Sequence, residues 1–122
     1  MRLFYFDEEI KAWESNMNFV PVIRKLEKIF SETEDLNVLS TIIGCSWLYY
    51  IEGQVKQIPV DYDSEYFESK WKEYIEIGLN KYKDSDIISF IIAYTLNLHW
   101  FLLGSKYEYL DEKLFKNVNM LT

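Results

Sequence analysis

The stretch Ser85 to Gly104, SDIISFIIAYTLNLHWFLLG, constrains the fold more than any other part of this chain. Beyond Asp86 it carries no formal charge, and its apolar residues fall on every side of a helical wheel, the pattern of a helix buried all round. Ile87 to Leu103 is at the short end of what crosses a bilayer and includes Ser89, Thr95, Asn97 and His99, so it reads as a core helix rather than a span. Ser89, Ala93, Asn97, Trp100 and Gly104 share one sector of the wheel, where small side chains let a neighbouring helix come close. Ile88, Ile92, Thr95 and His99 form another. His99, the only histidine, is expected in the core with its ring nitrogens satisfied locally, the Thr95 hydroxyl one turn back being the nearest candidate.

A helix of this kind needs covering, and 122 residues suffice to cover it within a single domain, residues 1–122, without disulfides or metals. The one cysteine, Cys45, excludes a disulfide framework and a Cys-cluster zinc site, and it lies in the uncharged run Leu36 to Ile51 as a small buried hydrophobe. The opening MRLFYFDEE has too short an apolar run for a secretory signal before acids intervene, so the expectation is a soluble, cytoplasmic protein with no membrane contact. The formal net charge is −7, and the excess sits in residues 1–35 and 61–86. Such a balance argues against nucleic acid as a partner, because phosphate binding runs on Lys and Arg, and it favours a basic partner or simply serves solubility.

Periodicity predicts an all-α fold of five to six helices. A first helix runs near Asp7 to Met17, with Met1 to Phe6 as an anchoring arm or its lead-in. A second starts at Pro21, where a missing N–H costs nothing, and reaches about Phe30. After the polar turn Ser31 to Asp35 a third, as greasy as the organising helix, runs from Leu36 to about Ile51 and is expected to stop at Gly53. Gly53 to Asp63 reads as the longest connection, with Val55 to Val60 extended. A fourth helix, capped by Asp63 or Ser64, runs to about Tyr82 with the clearest amphipathic stripe in the chain: Phe67, Trp71, Tyr74, Ile75, Gly78, Leu79 and Tyr82. A last helix from Tyr107 to Met120 would bring Leu110, Leu114, Phe115 and Val118 back onto the core.

Two helix pairs resemble each other. A shift of 49 positions, Leu39 to Ile88, brings Ser40 to Ser89, Ile42 to Ile91, Ile43 to Ile92 and Gly44 to Ala93. This resembles the stacked helical hairpins of tetratricopeptide-like repeats, with a small residue at the crossing, although their usual period is about 34 and their aromatic and proline signature is missing. The resemblance implies αα-hairpins stacked around two central apolar helices.

Catalytic chemistry finds little purchase. A di-iron bundle needs Glu-x-x-His pairs, and Leu96 stands three residues before the single histidine. The acids from Asp61 to Glu68 lack the calcium loop's glycine and closing glutamate. Ser46 is not in a nucleophile elbow, and a Cys45–His99 dyad would lie inside the core. No cofactor is expected, and no enzyme activity; the minimal enzymatic form would use His99 or a buried carboxylate as general base.

The stretch left over is Asp61-Tyr62-Asp63-Ser64-Glu65-Tyr66-Phe67-Glu68, four acids without a base, interleaved with aromatics. Asp61, Asp63, Glu65 and Glu68 would present carboxylates to Lys and Arg, with Tyr62 and Tyr66 as rigid contact area. Glu32, Glu34 and Asp35 form a second acidic turn. Acids also gather at helix N-termini because they oppose the dipole, which is the structural account of both runs. A small, acidic, aromatic-rich helical domain without catalytic groups resembles the immunity proteins that neutralise bacterial toxins, many of them nucleases with basic clefts. The similarity is one of size, charge and absences, and it implies a stoichiometric inhibitor of a basic toxin. The alternative is a helical-repeat adaptor or assembly subunit that uses an apolar groove.

Overall fold

A computed structural model describes residues 5–55 and 64–103, and these fold as an all-α bundle. The described residues form five helices, α1 (Glu8–Ser15), α2 (Val20–Thr33), α3 (Leu36–Val55), α4 (Ser64–Lys81) and α5 (Asp86–Leu103). The expected extended segment after Val55 and the last helix from Tyr107 to Met120 lie outside the described residues; Val55 itself ends α3.

Local chemistry sets the helix ends. The Asp7 carboxylate caps α1 by accepting from the Ile10 N–H at 2.9 Å, and the acids of its first turn oppose the dipole. Lys25 of α2 binds both Asp7 at 2.7 Å and Glu9 at 2.8 Å, pinning the two helices together. Pro21 occupies the first turn of α2 as expected. α2 continues past Phe30 because Ser31 and Thr33 return their hydroxyls to the carbonyls of Lys28 and Ile29, and it ends at Glu34, whose φ of 51° is left-handed. α3 does not stop at Gly53. A lone glycine inside a helix costs about 1 kcal/mol, too little to end it against continued packing.

The helices form two stacked antiparallel hairpins, α2–α3 and α4–α5, with α3 in contact with α2, α4 and α5. α4 runs against both of its neighbours. Near its C-terminus Gly78 meets Ile43 of α3 and Ile88 and Ile92 of α5; near its start Phe67 packs edge-on to Tyr49, and Trp71 reaches Thr95 and His99. The close crossing therefore falls at Gly78, where an added Cβ would lie 2.8 Å from Ile88 Cγ2 and 3.0 Å from Ile92 Cδ1. Gly44, placed at a crossing by the repeat pattern, instead lines a cavity.

The core joins Val22, Ile23 and Leu26 of α2, Leu39, Ile42 and Ile43 of α3, Phe67, Trp71 and Ile75 of α4, and Ile88, Ile92 and Leu96 of α5. Its polar members turn inward on the backbone: Ser40 and Thr41 donate to the Asn37 carbonyl, and Ser46 to that of Ile42. Just before α1 the Tyr5 N–H donates to Thr41 Oγ1, while Met1 to Phe4 of the expected arm lie outside the described residues. Among the described residues no helix is long and apolar enough to cross a membrane.

Candidate functional site

The described parts of the two acidic segments singled out from the sequence lie at opposite ends of the bundle. Asp61, Tyr62 and Asp63 lie outside the described residues. Glu65, Tyr66 and Glu68 occupy the first turns of α4, whose 18 residues span about 27 Å. Glu32, Glu34 and Asp35 lie beside the far end of that helix, the Tyr82 hydroxyl standing 3.5 Å from Glu34 Oε1. No single surface holds both groups.

At the α4 N-terminus the side chains are largely committed to the fold. Tyr66 lies edge-on to Phe67, with the Lys70 ammonium 5.7 Å from its ring centre. Glu68 Oε2 faces Lys72 one turn on at 3.7 Å. Of Glu65, Tyr66 and Glu68 only Glu65 is exposed, and it forms no ion pair with a described residue.

The other end is different. The α2–α3 and α4–α5 turns come together because each hairpin reverses at the same end, and Phe30 joins them by packing edge-on to Tyr82 at 6.2 Å. Glu32, Glu34 and Asp35 from one turn, with Asp84 and Asp86 from the other, are all exposed. Lys81 and Lys83 are the cations flanking them on the second turn. None of the five carboxylates forms an ion pair with a described residue. Asp84 and Asp86 escape a linear reading, since they are about fifty positions from Glu34; the hairpin repeat is the signal that could have paired the turns.

Helix physics accounts for part of this cluster. Asp35 Oδ1 accepts from the Asn37 N–H at 2.8 Å at the start of α3, and Asp86 sits in the first turn of α5, both favoured by the dipole. Glu32 does not fit that account. It lies in the last turn of α2, where the dipole disfavours a carboxylate and where no base offsets it. Glu34 occupies the left-handed position that glycine takes most cheaply.

Lysines along the α2–α4 seam, by contrast, are tied down. Lys70 reaches Glu27 at 3.0 Å and Glu73 at 3.7 Å, and the Tyr74 hydroxyl donates to Glu27 at 2.6 Å. Burial, followed by the hydrogen bond to Glu27 and then the Glu27 charge, pushes the Tyr74 phenol up.

The catalytic candidates are placed as core residues. His99 is fully buried, lying 4.7 Å from the Trp71 ring and 6.1 Å from that of Tyr50. The Thr95 hydroxyl is not its local partner, because it accepts from Trp71 Nε1 at 3.1 Å and donates to the Ile92 carbonyl at 3.2 Å. Burial pushes the Cys45 thiol up to about 12, so it is no nucleophile at neutral pH. Among the described residues no group of three His, Cys, Asp or Glu is placed to hold a metal ion.

One apolar surface is left open. Leu48 of α3 and Phe90 and Tyr94 of α5 are 43%, 51% and 50% exposed, and the two rings stack at 5.9 Å. Leu48 and Tyr94 line a cavity of about 300 Å³ between α1, α3 and α5. No family model matches the chain, and neither a curated protein nor a solved structure matches it.

Proposed function

We propose that this protein is a stoichiometric, non-catalytic inhibitor that binds a basic protein partner through the acidic end of its bundle, in the manner of the immunity proteins that occlude bacterial toxins. The observation that carries the reading is the pair Glu32 and Glu34. A carboxylate in the last turn of α2 and a non-glycine residue at φ 51° both cost stability, and neither is offset by a local contact of any strength. Residues kept against local preference on an exposed turn point to binding. With Asp35, Asp84 and Asp86 they offer five carboxylates without ion pairs to described residues, which can take the place of phosphates in a basic cleft, steering association and forming charge-assisted hydrogen bonds to Arg and Lys. Glu65, Tyr66 and Glu68, at the other end of α4, are left outside this contact.

The test uses two baits in parallel, the native chain and a variant carrying Glu32→Gln, Glu34→Gln, Asp35→Asn, Asp84→Asn and Asp86→Asn, each applied to lysate of the source cells at low and high salt. Asn at position 35 keeps the cap on α3. The reading expects one basic protein, retained in equal amount by the native bait, more readily at low salt, and lost with the variant. Identical retention by both baits would refute it.

A second reading, a helical adaptor using an apolar groove, is favoured by the exposed Leu48, Phe90 and Tyr94, since contiguous apolar surface marks interaction sites. Retention that is indifferent to salt and lost with Phe90→Ser and Tyr94→Ser would select it.

A further inference from the structure

At mid-length α3 faces a cavity of about 300 Å³ whose walls include the rings of Phe6, Trp47 and Tyr94 and the aliphatic side chains of Leu48 and Ile91. Among the described lining residues Glu14 of α1 is the only carboxylate and none is a base. Its position is fixed: Oε2 accepts from the Tyr49 hydroxyl at 2.6 Å. Oε1 has no hydrogen bond or ion pair to a described residue. Of the other polar lining groups, Trp47 Nε1 is a buried donor without a hydrogen-bond partner among the described residues, and Tyr94 is half-exposed. The Thr95 hydroxyl is engaged by Trp71 and the Ile92 carbonyl, and the Cys45 thiol stays protonated in its burial, with the Glu14 charge reinforcing that state.

We propose that this cavity binds a small hydrophobic amine in its ammonium form, the apolar body against the aromatic and aliphatic walls and the ammonium at Glu14 Oε1. Three features select that class. Aromatic faces attract a cation and a carboxylate binds it by a charge-assisted hydrogen bond. The walls are apolar enough to take a desolvated ring or chain, and a cavity of this volume is about twice that which holds a benzene molecule. A carboxylate at the wall repels acids, and the net charge of −7 draws cations toward the chain. The site is separate from the acidic end, so neither reading depends on the other.

The probe is 2-(naphthalen-1-yl)ethylamine, titrated calorimetrically into the full chain at neutral pH beside its alcohol isostere, 2-(naphthalen-1-yl)ethanol, and 1-naphthylacetate. The amine should saturate at one equivalent and bind about ten-fold more tightly than the alcohol, and the acid should not bind. Glu14→Gln, whose amide oxygen still accepts from Tyr49, should bring the amine down to the level of the alcohol. Leu48→Trp, at a half-exposed position on the rim, should abolish binding of both with the melting temperature unchanged. Equal affinity for amine and alcohol, amine binding insensitive to Glu14→Gln, binding at several sites, or no saturable binding would each overturn the proposal.

Discussion

α3 and α5 are nearly alike as sequences and differ as surfaces. Both are uncharged over most of their length, both lead with a polar cap, and each closes a hairpin. Yet among the described residues α3 has helices on three sides and exposes only Leu48 of its large apolar side chains, whereas α5 touches α3 and α4 and leaves Phe90 and Tyr94 half in solvent. A largely apolar composition decides that a helix belongs to a core; the number of neighbours the topology supplies decides how much of it is covered. Among the described helices α5 is the outer one of the two, and Phe90 and Tyr94 are the surface it leaves exposed.

The difference is testable by substitution. The largest effect is expected in α3: Ile43→Ala should cost about 2–5 kcal/mol in urea unfolding, because a fully buried position ringed by fixed helices leaves a cavity that cannot collapse. Ile92→Ala on the inner face of α5 should fall lower in that range, since an outer helix can shift inward. Equal costs would break the comparison.

Gly78→Ala comes next, at about 1–3 kcal/mol of overpacking, partly offset by alanine's better helix propensity. The new methyl would press on Ile88 and Ile92 of α5 while lying 4.0 Å from Ile43 Cδ1 of α3, so α5 should move and α3 should not. Amide exchange rising in α5 alone would report this.

pH probes the α3 side. The Cys45 thiol is raised from 9.0 to about 12 by burial, and the Tyr49 phenol is raised above its usual 10.0 by burial and then by the Cys45 and Glu14 charges. Groups whose pKa is raised in the folded state lend full stability below the unfolded value and lose it as pH climbs toward the folded one. Stability measured against pH should therefore fall from about pH 9 upward and more steeply beyond pH 10. In Cys45→Ala the decline should begin about one pH unit later, near 10.

Those effects rest on a fold that is largely legible in the sequence. The stripe from Phe67 to Tyr82 announces α4 because one-sided burial imposes periodicity, and the two greasy runs announce α3 and α5 because burial on most sides excludes charge. The turn expected from Ser31 begins three residues later, because hydroxyls that bond back to carbonyls let polar residues stay helical. The site is legible by halves. Glu32, Glu34 and Asp35 can be named from charge alone, but their union with Asp84 and Asp86 depends on which ends two hairpins share. No local pattern marks the left-handed backbone of Glu34, since a glutamate there contradicts the glycine a sequence reader looks for.

That contradiction yields a smaller prediction. Glu34→Gly should raise stability by roughly 0.5–1 kcal/mol by relieving the left-handed strain, and at the same time weaken partner binding. A gain in both would remove the functional reason for the residue. Smallest of all, Phe90→Ala should change stability by no more than about 0.5 kcal/mol, because half its surface is already wet.

The most direct measurement of the central claim is amide hydrogen exchange on the protein alone and in complex with the basic protein it retains. The account expects slowing confined to residues 32–37 and 82–88, the two turns of the acidic end. Slowing around Leu48, Phe90 and Tyr94, with both turns unchanged, would contradict it and hand the contact to the apolar face of α3 and α5.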